Sequence, residues 1–122
     1  MSDLKVDLRA ILNKSGTKLD TGALSKLITL AATPYDSGEL VIGTSEVDFS
    51  TDVSTPGLMI LQLNTAGATV DYGPKITGPA IEDFAELKDE VPLGLIGLKS
   101  GATLRFVSDT ASTKVQFWLF SL

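Results

Sequence analysis

The sequence predicts an all-β fold, a single β-sandwich domain over residues 1–122, on three observations. Short apolar stretches recur between clusters of Gly, Pro, Asn, Asp and Ser, the spacing of a sandwich or barrel. Leu58 to Leu63 is apolar except for Gln62, which suits a buried strand. Lys114 to Leu122 sets Val115, Phe117 and Leu119 on one face and Trp118, Phe120 and Leu122 on the other, so it needs apolar neighbours on both sides. Both a jelly roll and a simpler sandwich satisfy these patterns.

Taken in order, Leu4, Val6, Leu8 and Ala10 alternate with Lys5, Asp7 and Arg9, the period of a half-buried strand. Asn13 to Thr17 closes it with turn residues. Ala23 to Ala31 carries both helical and strand spacing; the turn cluster Thr33-Pro34-Tyr35-Asp36-Ser37-Gly38 just after it favours the strand. Glu39 to Glu46 reads as a strand entering a loop, and Val47, Phe49 and Val53 as an extended connection lying on the core. Pro56-Gly57 punctuates the chain before the central strand, Asn64 to Gly67 turns it, and Val70 and Tyr72 share one face of a short strand that Gly73-Pro74 ends.

Ile81, Phe84 and Leu87 lie three apart behind Pro79, with acids in the first turn, so the local pattern is a short helix. Lys88 to Glu90 is a polar turn. The apolar residues from Val91 to Ile96 are interrupted by Pro92 and Gly94, which suggests an edge strand or a bulge. Leu104 and Phe106 share a face, Ser108 to Ser112 turns again, and the two-sided final strand follows. One face of that strand fills the core; the other meets either a second layer of this domain or another subunit. Trp118, Phe120 and Leu122 are therefore the subunit-interface candidates.

Composition excludes several kinds of chemistry. At 122 residues the chain is long enough to bury roughly two thirds of its unfolded surface without a metal or disulfide. With no Cys and no His it lacks a thiolate nucleophile, thiolate zinc ligands and the commonest general base, so no catalytic residues, no metal site and no cofactor are assigned. A net charge of −5 argues against a nucleic-acid partner. No apolar run is long enough to span a bilayer and no signal-peptide core is present, which points to synthesis in the cytoplasm and no membrane partner.

The remaining motifs read as ordinary surface. Ser15-Gly16-Thr17-Lys18 has the serine-x-x-lysine spacing, but Gly16 disfavours the helix that would align the pair, and a hairpin turn is expected. Gly73 to Gly78 lacks the glycine-lysine-hydroxyl ending of a phosphate loop. The acids Glu82, Asp83, Glu86, Asp89 and Glu90 lack the alternation of a calcium loop and read as a solvated face; Glu46, Asp48 and Asp52 read as loop surface.

Leu40 to Thr44, Leu58 to Asn64, Leu98 to Leu104 and Val115 to Leu122 are brief apolar strands in a short chain without Cys or His and rich in Gly, Ala, Ser and Thr. Over residues 40–122 this texture resembles the small virion structural proteins of tailed bacteriophages. The resemblance implies a non-enzymatic protein made in the host cytoplasm and located in the virion, whether decorating the head, joining parts or forming the base of a fibre; of these, a capsid decoration or minor capsid protein is the favoured expectation. Its partners would be copies of itself, a trimer being the favoured homo-oligomer, and the major capsid or another virion protein. An all-β family of this kind favours strand or loop at Ile81 to Leu87, so strand and helix both stay open there. The alternative function is a carbohydrate-binding module of a tail or fibre adhesin, with Tyr35 and Tyr72 as its aromatic platform.

Overall fold

The computed structural model describes residues 3–14, 16–29, 35–49, 56–74, 85–98 and 103–121. In chain order the strands are β1 Asp3–Leu8, β2 Ile11–Lys14, β3 Thr17–Asp20, β4 Leu24–Thr29, β5 Tyr35–Ile42 and β6 Val47–Asp48. They continue with β7 Pro56–Leu63, β8 Val70–Pro74, β9 Ala85–Leu87, β10 Leu93–Gly97, β11 Leu104–Ser108 and β12 Thr113–Ser121. Two antiparallel four-stranded sheets, ordered β10-β7-β12-β5 and β6-β11-β8-β9, pack together as the predicted all-β sandwich. Two further two-stranded ribbons, β1-β4 and β2-β3, come from the N-terminal part of the chain.

Alternation decides what enters the core. β7 and β12 are the inner strands of the first sheet, and their register sets Leu61 opposite Phe117, Met59 opposite Leu119 and Leu63 opposite Val115, all buried. Val70, Tyr72, Leu87, Leu104 and Phe106 meet them from the second sheet. Phe49, just past β6, ties the layers together: its ring stands edge-on to Phe117 at 5.1 Å and to Phe106 at 6.5 Å, and its N–H donates to the Leu104 carbonyl at 2.8 Å. Tyr72 stacks on Phe106 at 5.8 Å. Each such side chain taken fully out of water contributes roughly 1.5–3 kcal/mol, which is why the period-two pattern fixes the register.

Two local expectations are corrected, and the choice left open before Leu87 is decided for its described part. The turn expected over Thr33 to Gly38 is strand from Tyr35 onward, Thr33 and Pro34 lying outside the described residues. Pairing of Tyr35 to Gly38 with Phe117 to Phe120 overrides the local turn propensity, and Gly38 is suited to it because a Cβ there would lie 3.2 Å from the Phe117 ring. The helical pattern ending at Leu87 gives way to strand at Ala85–Leu87, because these residues pair with Tyr72, Asp71 and Val70 and bury Leu87; Ile81 to Phe84 lie outside the described residues. Val47 does not lie on the core: it is exposed, while Phe49 is buried; Val53 lies outside the described residues.

The N-terminal ribbons are one long hairpin with a break. Asp3 to Leu8 pairs with Thr29 to Leu24, and Ile11 to Lys14 pairs with Asp20 to Thr17, with one extra residue on the returning side between the two. At the break the Arg9 guanidinium donates to both carboxylate oxygens of Asp20, at 3.1 and 2.6 Å, and Ala10 and Thr21 exchange two hydrogen bonds at 3.0 Å. Asp20 is held below its ordinary carboxylate value, first by Arg9 and then by the Gly22 N–H. Gly16, at φ +80°, closes the distal end where a hairpin turn is expected from the sequence.

A candidate interaction surface

The outer face of the first sheet grades from apolar to polar along its strands. Cross-strand register places Gly97, Leu58, Phe120 and Tyr35 in one row and Leu95, Ile60, Trp118 and Ser37 in the next. The third row is Leu93, Gln62, Gln116 and Glu39. Trp118, Phe120 and Ile60 are half-buried; Leu93 and Leu95 are 60% and 48% exposed. Leu58 is buried yet lies outside the sandwich core cluster, so its cover comes from the outer side.

Part of that cover is the base of the N-terminal hairpin. Val6, Leu8 and Leu24 face Leu58 and Leu95 across an open groove of about 440 Å³. Leu4, Val6 and Leu8 face Ile60, Leu93 and Leu95 across a second of about 390 Å³. Two apolar surfaces thus lie opposite each other without closing, which leaves Leu8 49% and Leu24 55% exposed.

Of the interface candidates, Trp118 and Phe120 sit in adjacent rows of this face, and Leu122 lies outside the described residues. Leu58, Ile60, Leu93 and Leu95 belong to the same patch and were not singled out from sequence. Their signal was available: like the final strand, Leu58 to Leu61 is apolar at consecutive positions and so demands cover on both faces.

Tyr72 is not placed to serve as an aromatic platform for a sugar. Tyr72 is only 6% exposed, because its alternation with Val70 turns it into the core, and burial pushes its phenol up from the ordinary value. The Tyr35 side chain lies outside the described residues.

The acids are largely engaged in structural pairs. Glu46 and Asp48, expected as loop surface, bind Arg105 at 3.2 and 2.8 Å on the outer face of the second sheet, where the Arg105 side chain is only 12% exposed. Glu86 pairs with Lys88 at 2.7 Å, and Asp89 accepts the Gly67 N–H with both oxygens, at 3.0 and 3.1 Å. Among the described residues no group of three or more acidic side chains is placed to hold a metal ion. Lys18 lies in β3, a strand, so the serine-x-x-lysine spacing has no helical turn beneath it; Ser15 lies outside the described residues.

Comparison with protein-family models, with curated proteins and with solved structures finds no match to this chain.

Proposed function

We propose that the chain is a non-enzymatic structural protein of a tailed-phage virion, a capsid decoration or minor capsid protein that assembles with copies of itself. The observation that carries the reading is the apolar end of the outer sheet face, where Trp118, Phe120, Ile60 and Leu95 lie in two adjacent rows and are incompletely covered. Such a face contributes on the order of 25 cal/mol for each Å² of apolar surface buried between subunits, before the costs of association are deducted. A trimer is the favoured ring. The phage assignment rests on the texture of residues 40–122.

The same reading takes the sandwich as a jelly roll. Its support is the strand order: β10-β7-β12-β5 opposite β6-β11-β8-β9, with every connection from β5 to β12 changing sheet except that between β8 and β9. That winding supports the reading as a double-sheet jelly roll, an architecture found among viral capsid proteins and lectins.

Native mass spectrometry of the full chain, together with binding to virions that lack it, tests the proposal. A symmetric oligomer that rebinds such virions is expected. A strict monomer that leaves them bare overturns it.

A further inference from the structure

The N-terminal hairpin carries apolar side chains that its own chain does not bury. Leu19 is 59% and Ile11 48% exposed at the distal end, beside a hollow lined by Ala10, Ile11, Leu19, Asp20 and Thr21. A two-stranded ribbon is marginal in water unless a third layer covers it. The base has the sandwich face beneath it; the tip is built on ribbon pairing, with β2 and β3 forming a sheet of their own. At about 3.3 Å per residue, residues 3–14 reach about 40 Å, against about 30 Å for β12, the longest strand of the sandwich. With its base seated over β7 and β10, the hairpin has length to spare for reaching another molecule.

Charge identifies that molecule. Residues 1–34 hold five of the ten basic side chains and three of the fifteen acids, so this arm is +2. The five bases and twelve acids that remain make the rest of the chain −7. A basic arm that exposes Ile11 and Leu19 and an acidic body are complementary in charge, and the open grooves lie where the base of the arm meets Leu58, Ile60, Leu93 and Leu95 of the body.

We propose that the N-terminal hairpin is an assembly arm whose tip, Ile11 to Asp20, crosses to a second copy of this chain and closes the grooves over Leu93 and Leu95 on that copy's outer sheet face. The contact is head-to-tail, arm to face, so each copy offers one of each and the series is satisfied when it closes into a ring. This inference rests on the self-assembly reading above and adds which segment makes the contact.

Two measurements on the full chain decide it. First, Ile11→Lys with Leu19→Lys charges two side chains that are already half in water, so the monomer keeps its fold; native mass spectrometry is expected to show assembly weakened by about a hundredfold or more. Second, the natural chain has no Cys, so single cysteines report cleanly. Under mild oxidation with copper phenanthroline, isotopically light Leu19→Cys chains mixed with heavy Leu93→Cys chains are expected to form light–heavy disulfides, well above those with a heavy control carrying Ala111→Cys in an exposed turn. The inference requires both results, and either one missing overturns it. If the wild-type chain oligomerises while either result is missing, the arm is wrong and the self-assembly reading survives. If the wild-type chain is a monomer, both fall together.

Discussion

A Cβ on Gly94 would lie 2.8 Å from the Tyr72 hydroxyl, across the sandwich from one sheet to the other. Gly94 faces the core beside Leu61 in the edge strand β10, and Tyr72 reaches toward it from β8. A glycine in an edge strand therefore marks a close approach of a buried ring, and the pairing from Leu93 to Gly97 runs through it without a shift. Gly94→Ala is expected to cost about 1–3 kcal/mol, as overpacking of a filled core does. In Tyr72→Phe the hydroxyl is gone, so the same alanine should cost measurably less. A double-mutant cycle by urea denaturation reads the coupling, and equal costs in the two backgrounds would refute the contact.

The same buried phenol sets an alkaline limit. Burial raises the Tyr72 pKa, so its folded value lies above the unfolded value of about 10. The neutral phenol's contribution is fully present below that unfolded value and is lost as pH rises through the folded one. Thermal melts at rising alkaline pH should show the wild-type midpoint falling more steeply than that of Tyr72→Phe. Parallel curves would show that Tyr72 titrates as a solvated group.

Asp109 governs the opposite end of the scale. Its carboxylate accepts the Thr69 N–H at 2.9 Å and the Thr110 hydroxyl at 2.9 Å, and these bonds, Thr69 first, hold it below its ordinary value. The folded group is the stronger acid, so the stabilisation is complete above the unfolded value of about 4 and disappears as pH falls through the lower folded value. Wild type should exceed Asp109→Asn in melting temperature near neutrality, with the gap closing on acidification. Asp20, lowered by Arg9, acts in the same direction within the arm.

How much of this was legible in the sequence depends on whether a residue's partner was close in pattern or only in space. The core faces of β12, β11 and β8 followed from alternation alone, and Tyr72 inherits its inward direction from Val70 two residues earlier. Assigning it to a sugar platform ignored that alternation. Tyr35 to Gly38 carries strong turn residues, and only the long-range pairing with β12 makes it strand. Leu58 and Ile60 sat within a run read as uniformly buried, whereas the register divides it into core-facing Met59, Leu61 and Leu63 and an outward pair. The distal ribbon was hidden because Asn13, Lys14 and Thr17 look like loop, and their pairing is visible only once the hairpin closes.

The buried hydroxyl pair at the start of β12 is a separate stability test. Thr113 donates to the Thr110 carbonyl at 2.7 Å, so in its 2.6 Å contact with Ser108 the serine is the donor. Ser108 in turn accepts the Thr110 N–H at 3.1 Å, which shapes the turn that leads into the last strand. Thr113→Val keeps the volume but leaves Ser108 with a buried donor unpaired, a loss of about 1–3 kcal/mol. Thr113→Ser retains the network and should recover most of it in chemical denaturation.

The outer sheet face yields the sharpest test of function, because its two ends differ in chemistry while belonging to the same strands. Trp118 sits in a row with Leu95 and Ile60, whereas Val41, 62% exposed, faces outward beside Lys114 beyond the polar row of Gln62, Gln116 and Glu39. Both positions are apolar and both lie outside the core. If assembly uses the apolar rows, Trp118→Lys should remove about 2 kcal/mol or more of association energy, the scale of an interface anchor. Val41→Lys should leave assembly unchanged. Sedimentation over a concentration series separates the cases, with circular dichroism confirming that each variant stays folded. Equal effects at the two positions would mean that general charge on the sheet, rather than the apolar rows, decides whether the copies meet.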